Sequence, residues 1–390
     1  MLTARFHDAI TELPAEAWDA LRGDDNPFVS HAFLATLERS GCIRPDWGWQ
    51  PHHLGIYERD RLVAAAPLYF KGNSHGEFVF DFGWARAWQR AGGRYYPKLL
   101  SGVPYSPVTG PRLLAGNDGQ TALLQRALVD AMRGEAEDLG LSSVHANFLQ
   151  ATEAAAFDED WLARSDVQFH WHNRGYRHFP AFLATLNHKK RKNILHERQQ
   201  VAASGLAIEW RSGDSLGLLE WRRVHALYEA TFDAKGNHAA LTATFFSHLG
   251  ELGQTAQLAL ARDGDTIVAM ALFLQGGGVL YGRYWGASVE VPGLHFELCY
   301  YRGIDYAIAQ GLRRFEPGAQ GEHKLARGFL PARTQSRHFL VDPGFRAAVA
   351  DALTREAEAV DDYATELLTH SPYAKTREDN GPVASRGLPS

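Results

Sequence analysis

The stretch Phe315-Glu316-Pro317-Gly318-Ala319-Gln320-Gly321-Glu322-His323-Lys324-Leu325-Ala326-Arg327-Gly328-Phe329 packs two carboxylates, an imidazole, an ammonium and a guanidinium between three glycines and a proline. Glycine reaches backbone shapes that other residues resist, so amide groups at Gly318 and Gly321 could approach a ligand closely. Acid–base chemistry on a bound ligand needs groups that take or give a proton and donors for developing negative charge. The stretch holds a candidate for each. Glu316 ends a short apolar strand signal, where side chains of α/β sheets often face the ligand crevice; it could hold an ammonium or take its proton. His323, with an ordinary pKa of about 6.5, could act as a base near neutrality or simply be a surface histidine. Leu325 and Phe329 argue that Lys324 has a packed flank rather than a solvated one. Arg327 could clamp a phosphate or carboxylate through paired hydrogen bonds, or pair with Glu322 or Glu316.

A second set lies on the strand signal Val279–Trp285. Strand alternation puts Tyr281, Arg283 and Trp285 on one face and Tyr284 on the other. Such a row could line a cleft, with Arg283 facing an anion and Tyr281 protonating a leaving group. An aromatic face buried under a helix is the alternative, less apt for Arg283, which costs too much to bury unpaired. The densest basic run is His188-Lys189-Lys190-Arg191-Lys192-Asn193, continued by His196 and Arg198. It reads either as a solvated helix face or as a surface for phosphates of a nucleotide, a coenzyme or an RNA. His170-Trp171-His172 puts two imidazoles on one strand face, but no third ligand is near in sequence, so no metal is expected.

The 390 residues exceed one ordinary core, so two domains are the default. A composition 45% hydrophobic and 22% charged is globular, and a net charge of −5 disfavours a binder of nucleic acid or anionic membrane over its whole surface. Cys42 and Cys299 stand far apart, which fits a reducing compartment. There is no signal-peptide core and no apolar run long enough to span a membrane, so a cytoplasmic protein is expected. Gly-x-Ser-x-Gly and Walker patterns are absent, which removes support for serine hydrolase and P-loop chemistry.

Strand and helix signals alternate, predicting an α+β layered fold. Strands are expected at Ala4–Ile10, His53–Tyr57, Leu62–Phe70, Glu77–Phe82 and Ser143–Phe148. Helices are expected at Pro14–Arg22, at His31–Ser40 capped by Ser30, and at Gly119–Leu139. The second half repeats this order: one basic helix over Ala181–Ala203, a strand at Leu206–Arg211, two helices, a hairpin of Gln257–Arg262 with Thr266–Gln275, the strand Val279–Trp285 and a helix Leu294–Gln310. Arg61–Ala66 resembles Thr266–Ala271, and Phe78–Trp84 resembles Val279–Trp285. The pattern predicts a duplicated unit with a hollow between the copies: an N-terminal unit 1–175, a C-terminal unit 176–345, a helix 346–370 and a flexible tail 371–390.

Three runs carry a family resemblance: Tyr281-Gly282-Arg283-Tyr284-Trp285-Gly286-Ala287, His295-Phe296-Glu297-Leu298-Cys299-Tyr300-Tyr301, and Phe315–Phe329. In these the chain resembles the FemAB-like family, peptidoglycan biosynthesis or recognition proteins within the GNAT acyltransferase superfamily. The resemblance implies tandem GNAT-like units, each a mixed sheet flanked by helices. It implies acyl or aminoacyl transfer to a small-molecule or peptide amine by direct attack, without a covalent enzyme intermediate. It also implies that Lys324 neutralises charge on the donor or its tetrahedral intermediate. No tightly bound cofactor is implied; acyl-CoA and aminoacyl-tRNA stand as alternative donors. The GNAT coenzyme A loop, Arg/Gln-x-x-Gly-x-Gly/Ala, is not found in Ala287–Leu294. A degenerate fold that binds a cell-wall precursor, peptide or nucleotide without turnover is the other reading.

Overall fold

The computed structural model describes residues 1–318 and 321–374. Ala319 and Gln320 lie outside them, as does the expected flexible tail apart from its first four residues. The chain forms two compact units, one of Met1–Asp166 with Thr334–Asp362, the other of Val167–Arg333 with the chain from Tyr363.

In the first unit β1 (Leu2–His7) is followed by α1 (Ala15–Ala20) and α2 (His31–Arg39), then by the short β2 (Trp49–Pro51). Ser30 caps α2 by accepting the Phe33 amide, as its type predicts. β3 (His53–Glu58) and β4 (Arg61–Ala66) form an antiparallel hairpin, with β1 on the outer side of β3. β5 (Leu68–Lys71), α3 (Phe82–Arg90), β6 (Lys98–Ser101), α4 (Thr121–Asp138) and β7 (Ser143–Ala146) follow. β2, β5 and β6 pair antiparallel, and β6 pairs parallel with β7. The helical stripe Leu124, Leu128, Val129, Met132 and Ala136 seats α4 in a core with Leu54, Leu99 and Val144. Each large apolar side chain so buried contributes roughly 1.5–3 kcal/mol.

The second unit takes over within β8 (Leu162–His172) and continues through α5 (Phe179–Ala184), α6 (His188–Ala203), β9 (Ala207–Ser212), α7 (Leu218–Asp233) and α8 (Ala243–Leu249). Next come β10 (Ala256–Asp263), β11 (Thr266–Gly276), β12 (Val279–Ala287), α9 (Leu294–Phe296), α10 (Arg302–Ala309) and β13 (Arg314–Glu316). β9 to β12 are antiparallel neighbours, β12 pairs parallel with β13, and β13 pairs antiparallel with β8. Its core gathers Trp171, Phe182, Phe273, Leu298, Ile304, Phe315 and Phe329. β14 (Leu330–Leu340) leaves this unit, and its residues Arg337–Leu340 pair antiparallel with β7. That pairing draws the chain back to the first unit at Thr334, well before the division expected at 345. α11 (Pro343–Thr369) closes the described chain.

The fold is α+β, and the duplication is written in its topology. Both units hold a bulged antiparallel hairpin, β3–β4 and β10–β11. Both then place a parallel strand pair around a crossover helix: β6–α4–β7, and β12–α9/α10–β13.

Several sequence expectations fail locally, among them the strand Leu62–Phe70, which divides into β4 and β5. Glu77–Phe82 is not a strand, and Phe78–Trp84 does not match β12, because α3 begins at Phe82. Burial of the Lys98 ammonium decides this: it bonds Glu77 at 2.7 Å and also Asp81, while Asp81 accepts the Tyr95 hydroxyl at 2.5 Å. A buried charge must be paired, so the segment folds around Lys98 instead of extending. The basic helix is likewise two helices, since Asn187 caps α6 by accepting the Lys190 amide at 3.0 Å.

β12 is pressed against α7. A Cβ on Gly286 would lie 2.2 Å from the Leu227 carbonyl oxygen, and backbone cannot swing aside as a flexible side chain does. Gly286→Ala should therefore cost about 3 kcal/mol or more of stability, measured as a lower urea midpoint at unchanged slope.

Candidate active site

β12 and β13 pair only at Val279 with Arg314, Leu280 with Phe315 and Tyr281 with Glu316. Pro317, which has no N–H to donate, then ends β13 while β12 runs on to Ala287. Beyond Tyr281 the strands part. A cavity of about 310 Å³ opens there beside Gly282, Arg283, Tyr284 and Trp285. Its far wall is Pro317, Gly318, His323 and Lys324, and its floor includes His295, Cys299 and Tyr300. Lys235, from the loop after α7, also lines it. Every one of these residues belongs to the second unit, so this hollow is built by one unit rather than by two copies together.

A bulge in β12 shapes the cavity wall. Phe273 pairs with Gly282 but Leu272 pairs with Tyr284, leaving Arg283 as the extra residue. The expected alternation of Tyr281, Arg283 and Trp285 is thereby broken, and Tyr284 reaches the cavity alongside its neighbours. Gly282 allows a close approach, since a Cβ there would stand 3.2 Å from Pro317 Cα.

The far wall is a tight helical turn, Glu322–Arg327, entered through Gly321 at φ 115° and left through Gly328 at φ 98°. A Cβ on Gly321 would strike the His323 ring at 2.3 Å, so glycine is required on both counts. Lys324 is 2% exposed and its Nζ donates to the Gly318 carbonyl at 2.6 Å. No carboxylate pairs with it among the described residues. Burial, reinforced by the nearby Arg283 charge and opposed by Cys299, lowers its pKa to about 8. Tyr300 and His323 share a hydrogen bond of 2.8 Å at Nε2. Burial, then the charges of Arg327 and Lys324, hold His323 below its ordinary value, while burial drives Tyr300 and Cys299 upward. Burial and the cationic surroundings, His323 first, push His295 down to about 4. The lining is thus rich in cations and neutral imidazoles and, among the described residues, has no carboxylate.

Of the residues singled out in the sequence, Arg283, Trp285, Gly318, His323 and Lys324 meet at this cavity. Others do not. Tyr281 is buried where the strands still pair, one step before the opening. Glu316 is 3% exposed and forms an ion pair with Arg314 at 2.7 Å, so it closes the strand end instead of facing a ligand. Arg327 is committed internally: its guanidinium donates to Tyr301 Oη at 3.0 Å, to the His323 carbonyl at 2.8 Å and to Glu197 at 2.7 Å. It also lies 3.3 Å from the centre of the Phe296 ring. Gly321 shapes the turn without lining the cavity. Lys189, Lys190, Arg191 and Lys192 occupy the first turns of α6 and are not part of the lining.

Sequence reasoning missed Lys235, His295, Cys299 and Tyr300 as site residues. His295 and Cys299 are four apart on a helix, a spacing that shares one face. The π-helical turn Glu297–Tyr301 between α9 and α10, a feature common at functional sites, has no reliable sequence signature. Among the described residues no group of three or more His, Cys, Asp or Glu could hold a metal ion.

A family model for FemAB-like proteins, described as peptidoglycan biosynthesis/recognition, matches residues 9–375. The chain belongs to the FemAB-like family. The structure resembles that of FemX, with 11% identity, 89% of this chain and 100% of FemX covered and a TM-score of 0.51. It also resembles the C-terminal domain (DUF2156) of a putative lysylphosphatidylglycerol synthetase from Agrobacterium fabrum, at 11% identity, 87% and 95% coverage and a TM-score of 0.50. At these identities the likeness is one of fold. None of the curated proteins matches the chain. No helix among the described residues is long and apolar enough to cross a membrane.

Proposed function

We propose that the second unit of this FemAB-like protein is a transferase that moves an acyl or aminoacyl group from an activated ester to an amine. The observation that carries the reading is Lys324, a buried ammonium with no carboxylate partner among the described residues, lining an open cavity with Arg283 and Lys235. An uncompensated buried cation is costly, and an anionic donor or oxyanion supplies the missing charge. The amine attacks the carbonyl, a C–N bond forms, and the ester C–O bond breaks. Lys324 stabilises the oxyanion and gives the leaving oxygen its proton. No covalent enzyme intermediate is needed.

The segment before α9 does not fit the pyrophosphate of coenzyme A. Gly293 is the sole glycine between Ala287 and Leu294, and a Cβ on it would lie 3.0 Å from the Glu197 carbonyl oxygen. That helix start packs closely against the α6 backbone at Glu197. This favours an aminoacyl ester, with the basic face of α6 as the surface that meets its RNA.

The test is transfer of labelled aminoacyl groups from charged tRNA, or acyl groups from coenzyme A thioesters, to muropeptide precursors. Transfer from tRNA is expected, weakening at least tenfold and losing its salt dependence when Lys189, Lys190, Arg191 and Lys192 are made neutral. Turnover with thioesters alone, unaffected by those four changes, would reverse the choice of donor. Binding of precursors with no transfer from either donor would leave a recognition protein.

A further inference from the structure

A reaction in this cavity must expel the proton of the attacking amine, yet among the described residues its lining offers no carboxylate to take it. Two side chains connect the interior with water. Tyr300 is 3% exposed and lines the cavity, and its hydroxyl meets His323 Nε2 at 2.8 Å. His323 lines the same cavity but is exposed to solvent. With the phenol as donor, Nε2 accepts and the neutral ring keeps its proton on Nδ1. The turn passes close to the ring, since a Cβ on Gly321 would stand 2.3 Å from it, and Phe296 lies 5.8 Å away between ring centres. The imidazole is therefore held in this orientation.

We infer that Tyr300 and His323 form the proton exit of the cavity, a role that rests on the transfer reaction proposed above. As the amine attacks, Tyr300 Oη accepts its N–H proton while the phenolic proton passes to His323 Nε2. The imidazolium then releases a proton to water from its exposed side. Lys324, having protonated the leaving oxygen, regains one proton from water, so the cycle balances. The groups facing His323 favour release. Lys324 and Arg327 on its own turn are cationic, and His295 on α9 is held neutral. Glu197 on α6 is engaged by Arg327 and Tyr301. Cations beside an imidazolium speed its loss of a proton.

Nitrogen-15 NMR of the full chain reads the pair without any substrate. The expected result is an Nδ1–H tautomer for His323 and, in Tyr300→Phe, a titration midpoint raised by about 0.5 unit or more, because the donor favouring the neutral ring is gone. An Nε2–H tautomer, or an unchanged midpoint in Tyr300→Phe, would overturn the inference. In turnover, His323→Ala should lower kcat by roughly 100-fold or more, with added imidazole restoring much of it through the exposed position. Undiminished turnover in His323→Ala, or a loss that imidazole does not repair, would also overturn it. A wild-type chain that transfers nothing counts against the proposed function, while the tautomer still decides the pair.

Discussion

Lys324→Met abolishes transfer and makes the protein more stable at neutral pH: that is the paired result expected if the turn after β13 carries the chemistry. Methionine keeps most of the side-chain volume and removes the charge. Loss of a positioned donor to a developing oxyanion costs on the order of 100–1000-fold in kcat. The stability change has the opposite sign. Lys324 is 2% exposed, and burial brings its pKa down to about 8, against about 10.4 for the unfolded chain. Below pH 8 both states bind the proton and the folded state bears the full penalty, on the order of 3 kcal/mol. Between the two values the unfolded chain binds more protons, so wild-type stability rises with pH and the penalty fades. The variant should therefore gain most near pH 7 and nothing above about pH 10.5. Urea melts at pH 7 and pH 10.5 with a transfer assay at pH 7 check both halves. Equal turnover would remove Lys324 from the role, and lower stability at pH 7 would mean that the ammonium has a partner in solution.

Glu197→Ala should destabilise the protein by about 3 kcal/mol, although its side chain lies in none of the three runs that carry the resemblance. Glu197 and Arg327 pair at 2.7 Å, with side chains 22% and 10% exposed. Glu197 also accepts the Tyr301 hydroxyl, and Arg327 caps the turn through the His323 carbonyl. Removing the carboxylate leaves a nearly buried guanidinium unpaired. Partial exposure of Glu197 keeps the cost at the low end for such pairs. Arg327→Ala should also lower the melting temperature, whereas an arginine that clamps a ligand would leave stability intact and weaken binding alone. Calorimetry on both variants, with a double-mutant cycle between them, separates the two roles; additive losses would mean that the pair does not couple.

The repeated hairpins show how much of the architecture was legible in the chain. Arg61–Ala66 and Thr266–Ala271 look alike because each must bury one apolar strand after a charged turn, and both became hairpins of their units. The matched aromatic runs after them did not survive, because Lys98 gathers Glu77 and Asp81 around itself and folds that segment into a loop and α3. Strand alternation also misjudged the row on β12. Period two holds only while the ladder is regular, and a one-residue bulge re-aimed Arg283 and admitted Tyr284.

Local composition by itself determined that the Phe315–Phe329 stretch would be an irregular, glycine-hinged turn carrying His323 and Lys324, since those shapes and charges follow from residue type. Only tertiary structure decided which charges remain available. Glu316 and Arg327 were spent on Arg314 and Glu197, partners 2 and 130 residues away in the chain, while Lys324 was left beside the cavity. Sequence separation carries no information about such pairings. They are set by where β13 stops and β12 continues, a length difference that leaves one strand edge uncovered and so makes the hollow.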